Sequence, residues 1–519
     1  MNNKISSTII KSARIISIMT LLSRIFGYFR DRCMSVYLGT GTEADALTIA
    51  FLIPNMLRRL FGEGSMTAAF LPTFSDYLYN KDKKDSWEFA RIFFWNLTVI
   101  LIVVVALGML LSPFIIHFIA PGFAQVEGKT ELTIHLNKLI FPFILLVSVT
   151  ALQMAILNTF RIFGLPAATQ IFFNIAIIAS ALMLSRYFKH ASYAFAIGIL
   201  VGGIIQVIMQ IPRLSKLGMP FTPKCDFHHA GARKVGLLMI PGFFAIGIAQ
   251  INLFIGQYYA SGLTQGSVAS IYYADRLMEL ALGIFAISIS TVILPMLSKY
   301  ALNDNMSDFK DTLSSAIKLN NIIMLPAATG LIFLKDPIID VLFKQGKFTA
   351  TSAQLTSIAL LYFAIGLPGF ALVKIIVSAF YSLKDTLTPV IIGCISIATN
   401  LLFINIFINK IQHASIPFAS SLSSYINFSV LFIILIKRKG KIDLAPLLIS
   451  FLKILIASCI MGILSYYLAA SFWSTNLTFI IKAFYLSTFI ILDIACYAGL
   501  LYIIARQDLL EFIQIFKFK

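Results

Sequence analysis

The sequence predicts an all-α polytopic membrane protein, and three observations support this fold class. Of the 519 residues, 59% are hydrophobic and only 12% are charged, whereas soluble domains carry about 25% charged residues. The mean hydropathy is +0.88. Apolar runs of roughly 20 residues recur along the chain, which is the length that an α-helix needs to cross a bilayer and about twice that of a barrel strand. A soluble globular protein is therefore excluded.

About fourteen transmembrane helices are predicted from these apolar runs, which begin roughly every 30 to 40 residues. In chain order they cover residues 9–31, 46–78, 90–119, 133–158, 165–187, 192–212, 236–259, 267–298, 314–343, 352–382, 386–409, 415–436, 447–470 and 478–504. An even number of spans leaves both ends of the chain on the same side of the membrane.

The net charge of +18 follows membrane topology and does not indicate a nucleic-acid partner. Basic residues concentrate in alternate loops, for example at 81–84 and in the KRKGK run at 437–441, whereas the other loops carry few, among them Lys129. Loops rich in Lys and Arg stay on the cytoplasmic side. We therefore predict that both termini are cytoplasmic.

The cysteines and histidines indicate neither a disulfide framework nor a metal site. The five cysteines are scattered along the chain. Cys225, His228 and His229 form a C-x2-H-H pattern that lacks a second pair of ligands. The loop that contains them is interpreted as a solvated cytoplasmic loop, and no metal or other cofactor is expected.

An internal repeat predicts two lobes in the same orientation. LPTFSDYLYN at 71–80 resembles LPMLSKYALN at 294–303, and ILNTFRIFGLPA at 156–167 resembles AFYSLKDTLTPV at 379–390, with the same offset in both pairs. Parallel repeats of this kind occur in transporters and enclose a central cavity. We predict an N-lobe at 1–225 with helices 1–6, a C-lobe at 226–442 with helices 7–12, and a segment at 443–519 with helices 13 and 14 and the cytoplasmic C-terminus.

The first predicted helix carries charges at membrane depth, where an ionisable group costs several kcal/mol unless it faces protein or water. Arg24, Tyr28 and Asp31 are spaced at i, i+4 and i+7, so they share one face. Arg30 lies roughly 120° away around the helix. The alternative for Arg30, Asp31 and Arg32 is that their polar groups extend to the membrane surface at the helix end.

The second predicted helix combines charges with residues that favour bending. Arg59 and Glu63 form an i, i+4 pair and can neutralise one another. Arg58 has no acidic residue at such a spacing. Pro54 and Gly62 favour a kink or a close helix approach, which would suit a gate.

The eighth predicted helix places Asp275, Arg276 and Glu279 within one turn. Two acids and one base can pair with different partners in two conformations, so this cluster is a candidate gate. A static ion cluster is the alternative. Lys374 is another cation in an apolar helix, with a structural role as its alternative.

The surplus of arginine in apolar helices indicates an anionic ligand. The guanidinium group binds phosphate oxygens through two parallel hydrogen bonds and stays charged in a low-dielectric site. A central cationic cavity would therefore suit a phosphate or diphosphate better than a cationic drug.

These motifs resemble the MurJ (MviN) family of lipid II flippases, within the multidrug/oligosaccharidyl-lipid/polysaccharide exporter superfamily. The resemblance covers nearly the whole chain through LSRIFGYFRD, GTGTEADA, FLIPNMLRRLFGEGSMTAAFLP, APGF, ILNTF, YYADRLME, ILPMLSK, QGKFTA and FYSLKDTLTPV. It implies fourteen helices, two six-helix lobes around a cationic cavity, and a place in the bacterial cytoplasmic (inner) membrane. The implied activity is to carry lipid II, the undecaprenyl-diphosphate-linked peptidoglycan precursor, to the periplasmic leaflet for cell-wall synthesis and cell shape.

The resemblance and the charge pattern together give a set of candidate site residues. Substrate-binding candidates are Arg24, Arg30, Arg58 and Arg276, and candidates for gating or charge balance are Asp31, Asp45, Arg59, Glu63, Asp275 and Glu279. Where some family members place a lysine, this chain has Leu52. The implied partners are lipid II and membrane lipids, and proteins of cell-wall synthesis or division remain open.

Three other functions are weighed against this interpretation. A flippase for another lipid-linked oligosaccharide, such as an O-antigen precursor, would share the fold. A drug/cation antiporter would have acids rather than arginines in its cavity. A membrane glycosyltransferase would need acids or a metal site near the membrane surface, usually on a long external loop, and every predicted loop is short. We expect a transporter and not an enzyme.

Overall fold

The computed structural model describes residues 2–58, 66–440, 442–474 and 477–517. Within these ranges every regular element is helical, which confirms the all-α prediction. The α-helices are α1 (Asn2–Leu38), α2 (Thr42–Arg58), α3 (Met66–Asn80), α4 (Lys83–Ile119), α5 (Lys129–Ile140), α6 (Phe143–Thr159), α7 (Gly164–Leu184), α8 (Ser192–Leu217), α9 (Ala230–Ser261), α10 (Ser267–Ala281), α11 (Ile287–Leu302), α12 (Met306–Phe333), α13 (Lys335–Leu342), α14 (Ala350–Ser382), α15 (Leu387–Ile411), α16 (Ser415–Lys439), α17 (Leu444–Phe472), α18 (Phe479–Ile504) and α19 (Arg506–Lys517).

The described chain contains ten helical stretches that are long and apolar enough to cross a membrane. One of them, Leu387–Lys439, combines α15 and α16 with the short 3-10 turn between them. A multi-pass membrane protein is therefore confirmed, and the count of fourteen helices stays a prediction.

Several predicted helices are interrupted in the structure. The predicted helix at 133–158 is divided into α5 and α6 at Phe141 and Pro142, because proline has no N–H to continue the hydrogen-bond ladder. The predicted helix at 314–343 is also divided in the structure. Helix α12 ends at Phe333, and α13 begins at Lys335. A π-helical turn, Leu282–Ala286, separates α10 from α11. In the second predicted helix, residues 59–65 lie outside the described ranges.

The chain forms two compact units. The first consists of Met1–Ala269 with Gln345–Phe348, and the second of Ser270–Lys344 with Thr349–Lys519. Packed aromatic rings dominate the core of the first, where the Phe70 ring contacts those of Phe89 and Phe93. The second has an aliphatic core along α11, α12, α14 and α16.

Helix boundaries recur at the offset that the sequence repeat predicts. Three pairs of helices begin at equivalent positions of the repeat: α4 and α12 at Lys83 and Met306, α7 and α15 at Gly164 and Leu387, and α8 and α16 at Ser192 and Ser415. The lobe boundaries themselves stay a prediction. Helix α9 follows residue 225 in sequence and yet belongs to the first compact unit.

The turns that follow α6 and α14 share the same unusual backbone. Arg161 and Lys384, which the repeat aligns, both adopt a positive φ, of 58° and 61°. In each turn the next N–H, of Ile162 or Asp385, donates to the carbonyl five residues earlier at 3.0 Å. This bond satisfies a carbonyl group at the end of the helix. Its stabilising effect offsets the conformational cost of a left-handed backbone at a residue other than glycine.

Candidate functional site

Arg30 and Asp31 belong to a network that ties α1 to α7. The Arg30 guanidinium donates to Asp31 Oδ1 through Nε at 3.0 Å and Nη2 at 2.7 Å, and Nη1 donates to Asn174 Oδ1 at 3.2 Å. Asn174 in turn donates to the Ser23 carbonyl at 3.2 Å. The network orients the guanidinium, and a role of Arg30 in substrate binding stays a prediction.

Arg24 lies on the same helix and is partly buried. Among the described residues it makes no hydrogen bond or ion pair. A partly buried guanidinium in an apolar helix keeps its desolvation cost until an anion compensates it. A role of Arg24 in substrate binding stays a prediction.

Asp45 sits in a closed hydrogen-bonding centre at the start of α2 and is only 1% exposed. Its Oδ2 accepts from Lys129 Nζ at 2.7 Å and from the Gly266 N–H at 2.9 Å, and its Oδ1 accepts from the Ala269 N–H at 2.8 Å. A carboxylate at a helix N-terminus also interacts favourably with the helix dipole. Asp45 therefore fastens the first turn of α10 to α2 and α5.

The charge pattern predicts a loop position for Lys129, and the structure corrects this prediction. Lys129 is 3% exposed at the start of α5, and its ammonium group lies 4.1 Å from the centroid of the Phe123 ring. The only feature of the sequence that could indicate this position is the nearby APGF motif at 120–123, whose last residue is Phe123. Lys129 supplies the countercharge that lets Asp45 be buried.

The segment Gln345–Phe348, from the QGKFTA motif, docks on the corner between α1 and α2. Its Lys347 N–H donates to the Val36 carbonyl at 2.9 Å, and Lys347 Nζ lies 3.4 Å from Glu43 Oε1. Gly39 has a φ of +62°, and a side chain there would collide with the Lys347 carbonyl. No sequence pattern predicts this contact, because the two segments are far apart in the chain.

The remaining candidates of the first unit lie at the end of α2. Arg58 Nε donates to Asn55 Oδ1 at 3.1 Å. Arg59 and Glu63 lie outside the described residues, so their predicted pairing stays a prediction.

In the second unit, Arg276 and Glu279 form the i, i+3 pair that their spacing predicts. Arg276 Nη1 lies 2.9 Å from Glu279 Oε2, and the guanidinium is 4.8 Å from the centroid of the Tyr272 ring. Asp275 lies on the same turn and is partly exposed. The pair fixes the orientation of Arg276, and whether it acts as a gate stays a prediction.

The loop at 218–229 is largely exposed and at the same time lies along α4. Lys224 pairs with Glu88, and Arg91 Nη1 donates to Thr222 Oγ1 at 3.0 Å. Trp95 Nε1 donates to the Phe221 carbonyl at 3.3 Å. Asn96 Nδ2 donates to the Asp226 carbonyl at 2.7 Å, and Asn96 Oδ1 accepts from the Asp226 N–H at 3.0 Å. We call residues 221–226 the strap.

His229 and the acidic side chains offer no multidentate metal site in the described ranges. His229 Nδ1 accepts from the Ala232 N–H at 3.4 Å and so caps α9. No group of three or more His, Cys, Asp or Glu side chains with metal-binding geometry occurs in that part of the chain. The five cysteines are free thiols.

Curated relatives share most of the length of this chain. A family model described as lipid II flippase MurJ matches residues 34–487. A probable lipid II flippase MurJ of Buchnera aphidicola subsp. Schizaphis graminum is 37% identical over 424 residues, which are 82% of each chain. The lipid II flippase MurJ of Burkholderia cenocepacia is 32% identical over 432 residues, which are 82% of this chain and 83% of the relative.

Solved structures agree with the sequence relatives. A lipid II flippase MurJ in an inward closed conformation superposes with a TM-score of 0.78 at 29% identity and covers 95% of this chain and 99% of its own. An inward-facing MATE multidrug transporter of the MOP superfamily has a TM-score of 0.63, with 79% of this chain and 94% of its own covered, but at 13% identity it shares the fold alone. From the family model and the relatives that are 37% and 32% identical, the chain belongs to the MurJ family.

Proposed function

We propose that this chain is a lipid II flippase, which moves the undecaprenyl-diphosphate-linked peptidoglycan precursor from the cytoplasmic to the periplasmic leaflet of the bacterial inner membrane. The observation that carries the proposal is the family match over residues 34–487, together with relatives that bear this name. Transport requires no covalent chemistry, and the proposal includes no catalytic step.

Arginine side chains on the helices would bind the diphosphate. Arg24 is the first candidate, because it is partly buried and makes no bond within the described chain. Arg30 and Arg276 are held by carboxylates, which orient their guanidinium groups. Each N–H that a carboxylate leaves unused can donate to a phosphate oxygen. Arg58 completes the candidate set.

Alternating access would expose the bound head group first to one side and then to the other. In transporters with parallel repeats, the repeats move about a fixed site near the middle of the membrane. The Asp45 centre would act as a gate in this scheme, because its bonds to Gly266 and Ala269 are backbone contacts that a movement of α10 breaks. Lys129 would then keep the carboxylate neutralised.

The membrane potential would favour transport in the outward direction. An inside-negative potential favours outward movement of an anionic head group by about 2.3 kcal/mol per charge per 100 mV. Membrane lipids would surround the polyprenyl tail throughout the movement.

The test is to measure outward lipid II movement in cells depleted of their own flippase. The wild-type chain should restore movement and growth, and Arg24→Ala should reduce movement by about tenfold or more, as expected for the loss of hydrogen bonds to a charged group. Arg24→Lys keeps the charge and should retain part of the activity. Arg213→Ala, which removes an exposed arginine, is the matched control.

The outcomes separate the candidate functions. A well-expressed wild type that fails to move lipid II would favour another lipid-linked oligosaccharide as the substrate. Full activity of Arg24→Ala would exclude that arginine from the binding site, while leaving the family function in place.

A further inference from the structure

The second compact unit contains a polar cavity of about 590 Å³, apart from the candidate site residues. One face of the first turns of α12 supplies six polar residues to it: Ser307, Lys310, Asp311, Ser314, Ser315 and Lys318. The start of α17 and Glu511 on α19 complete the lining. A cavity of about 300–1,000 Å³ is the usual size of a small-molecule site.

Charged and polar groups in this cavity have hydrogen-bonding positions that the described residues do not occupy. Lys310 and Asp311 make no hydrogen bond or ion pair among the described residues, and neither do the three serines. A carbon added at Gly440 would be 3.0 Å from Lys310 Nζ, so this ammonium group lies just after the basic end of α16. Lys318 Nζ lies 3.8 Å from both Asp508 and Glu511, which is longer than a direct hydrogen bond.

The first repeat indicates what this face of the helix binds. At the offset of the repeat, Glu88, Arg91 and Trp95 of α4 correspond to Asp311, Ser314 and Lys318 of α12. In the first unit the strap covers this face, and the ammonium group of Lys224 pairs with the Glu88 carboxylate. In the second unit the corresponding residues face the cavity instead. Asp311 is therefore the equivalent of a carboxylate that already binds a primary ammonium group.

The lining carries two lysines and three carboxylates, which are those of Asp311, Asp443 and Glu511. This mixed charge favours a ligand that carries both signs. A phosphate would accept hydrogen bonds from Lys310 and the serine hydroxyls. Asp311 would repel a purely anionic head group but would accept hydrogen bonds from a primary amine. Ile442 and Leu447 add an apolar edge at the start of a membrane-spanning helix, where acyl chains can continue into the bilayer.

We propose that the cavity between α12, α17 and α19 binds a phospholipid head group that combines a phosphate with a primary amine, as in phosphatidylethanolamine. Lys310 and the serines of α12 bind the phosphate, and Asp311 binds the amine. The bound lipid takes the place that the strap occupies on α4. Glu511 brings α19 to the edge of the site, so lipid binding and the position of this C-terminal helix are coupled.

Binding is measured on the purified full chain in detergent as the rise in melting temperature with lipid concentration, which reports affinity for the folded state. The probes are short-chain phosphatidylethanolamine, phosphatidylcholine and phosphatidylglycerol, with free phosphoethanolamine and inorganic phosphate as head-group controls. The expected apparent affinity for phosphatidylethanolamine is about tenfold or more above that for the other two lipids. Its ammonium group donates charged N–H bonds to Asp311, whereas choline has no N–H and the hydroxyls of the glycerol head group are neutral donors.

Three substitutions separate the roles of the lining residues. Lys310→Gln should weaken phosphatidylethanolamine binding about tenfold, and Ser314→Ala should weaken it less. Asp311→Asn should abolish the preference for phosphatidylethanolamine over phosphatidylcholine. Lys299→Gln and Asp85→Asn change exposed residues outside the cavity and should bind like the wild type.

Three results would overturn the proposal. The first is an equal response of the wild type to all three lipids. The second is unchanged phosphatidylethanolamine binding by both Lys310→Gln and Ser314→Ala. The third is a Lys310-dependent response to inorganic phosphate as large as that to the lipid, which would assign the cavity to free phosphate. None of these results bears on lipid II movement, so failure here is distinct from failure of the proposed function.

Discussion

Among single residues, Lys129 and Asp45 form the pair with the largest expected effect on stability. Removing one partner of a buried ion pair leaves an uncompensated charge and typically costs about 3–5 kcal/mol. We expect Lys129→Met to lower the free energy of unfolding by about this amount, because Asp45 keeps only the two backbone N–H donors. Thermal unfolding of the purified protein measures the change.

The double variant distinguishes a lost charge partner from a general packing defect. Adding Asp45→Asn to Lys129→Met removes the uncompensated charge and should recover part of the lost stability. Lys138→Met, on the same helix and without a bond among the described residues, should melt close to the wild type. Equal melting of Lys129→Met and Lys138→Met would contradict the assigned role.

The sequence predicts a functional role for Asp45 but not for its partner Lys129. Asp45 is identified because the TEADA motif resembles the family pattern. Lys129 stands 84 residues away from Asp45 and next to a predicted loop with acidic residues, where a solvated lysine is the normal expectation. Helical spacing rules find partners within one or two turns, as for Arg276 and Glu279, and they cannot find partners on another helix.

Among the elements, the break between α5 and α6 depends on a close fit to α4. A side chain added at Gly108 would overlap the Phe141 ring, which occupies the break. We expect Gly108→Ala to destabilise the protein by about 1–3 kcal/mol, the usual cost of overpacking. Thermal unfolding again gives the measurement.

A second substitution tests whether Phe141 causes the effect. Phe141→Leu should recover part of the stability that Gly108→Ala loses, because it opens space beside the new methyl group. Gly393→Ala, on α15 with no atom near the added carbon, should be neutral or stabilising. Similar losses of stability in Gly108→Ala and Gly393→Ala would contradict a specific effect of the Phe141 ring.

Hydropathy predicts where the helices lie but not where they break. The apolar run continues through Phe141 and Pro142, so a single helix is the simplest interpretation of 133–158. The proline is visible in the sequence, but prolines also lie within continuous helices here, such as Pro368 in α14. At the break, the Phe141 ring packs against Gly108 of α4, a contact between helices that hydropathy does not encode.

For the whole molecule, the distribution of basic residues predicts the orientation in the membrane. In intact cells, a variant with Cys225 as its sole cysteine should resist a membrane-impermeant maleimide, because Cys225 is exposed in a loop predicted to be cytoplasmic. A second variant, with the only cysteine introduced in place of the exposed Lys189, should react. Reversed labelling would invert the proposed topology.

The repeat is the most informative large-scale signal in the sequence. Its constant offset reappears in the starts of three helix pairs and in the left-handed turns at Arg161 and Lys384. The pattern cannot predict that α9 joins the first compact unit, since an internal repeat describes ancestry and packing follows contact surfaces. Substrate identity comes from family resemblance, because charge alone indicates only an anion.

The strap on α4 has a consequence for access to two helix faces that the repeat makes equivalent. Residues 221–226 bond to Arg91, Trp95 and Asn96 of α4, so a molecule that bound this face would first have to displace the strap and break these bonds. The corresponding face of α12 lines a cavity, and a ligand there needs no such displacement. Two faces with the same repeat position therefore differ in the work that a ligand must do to reach them.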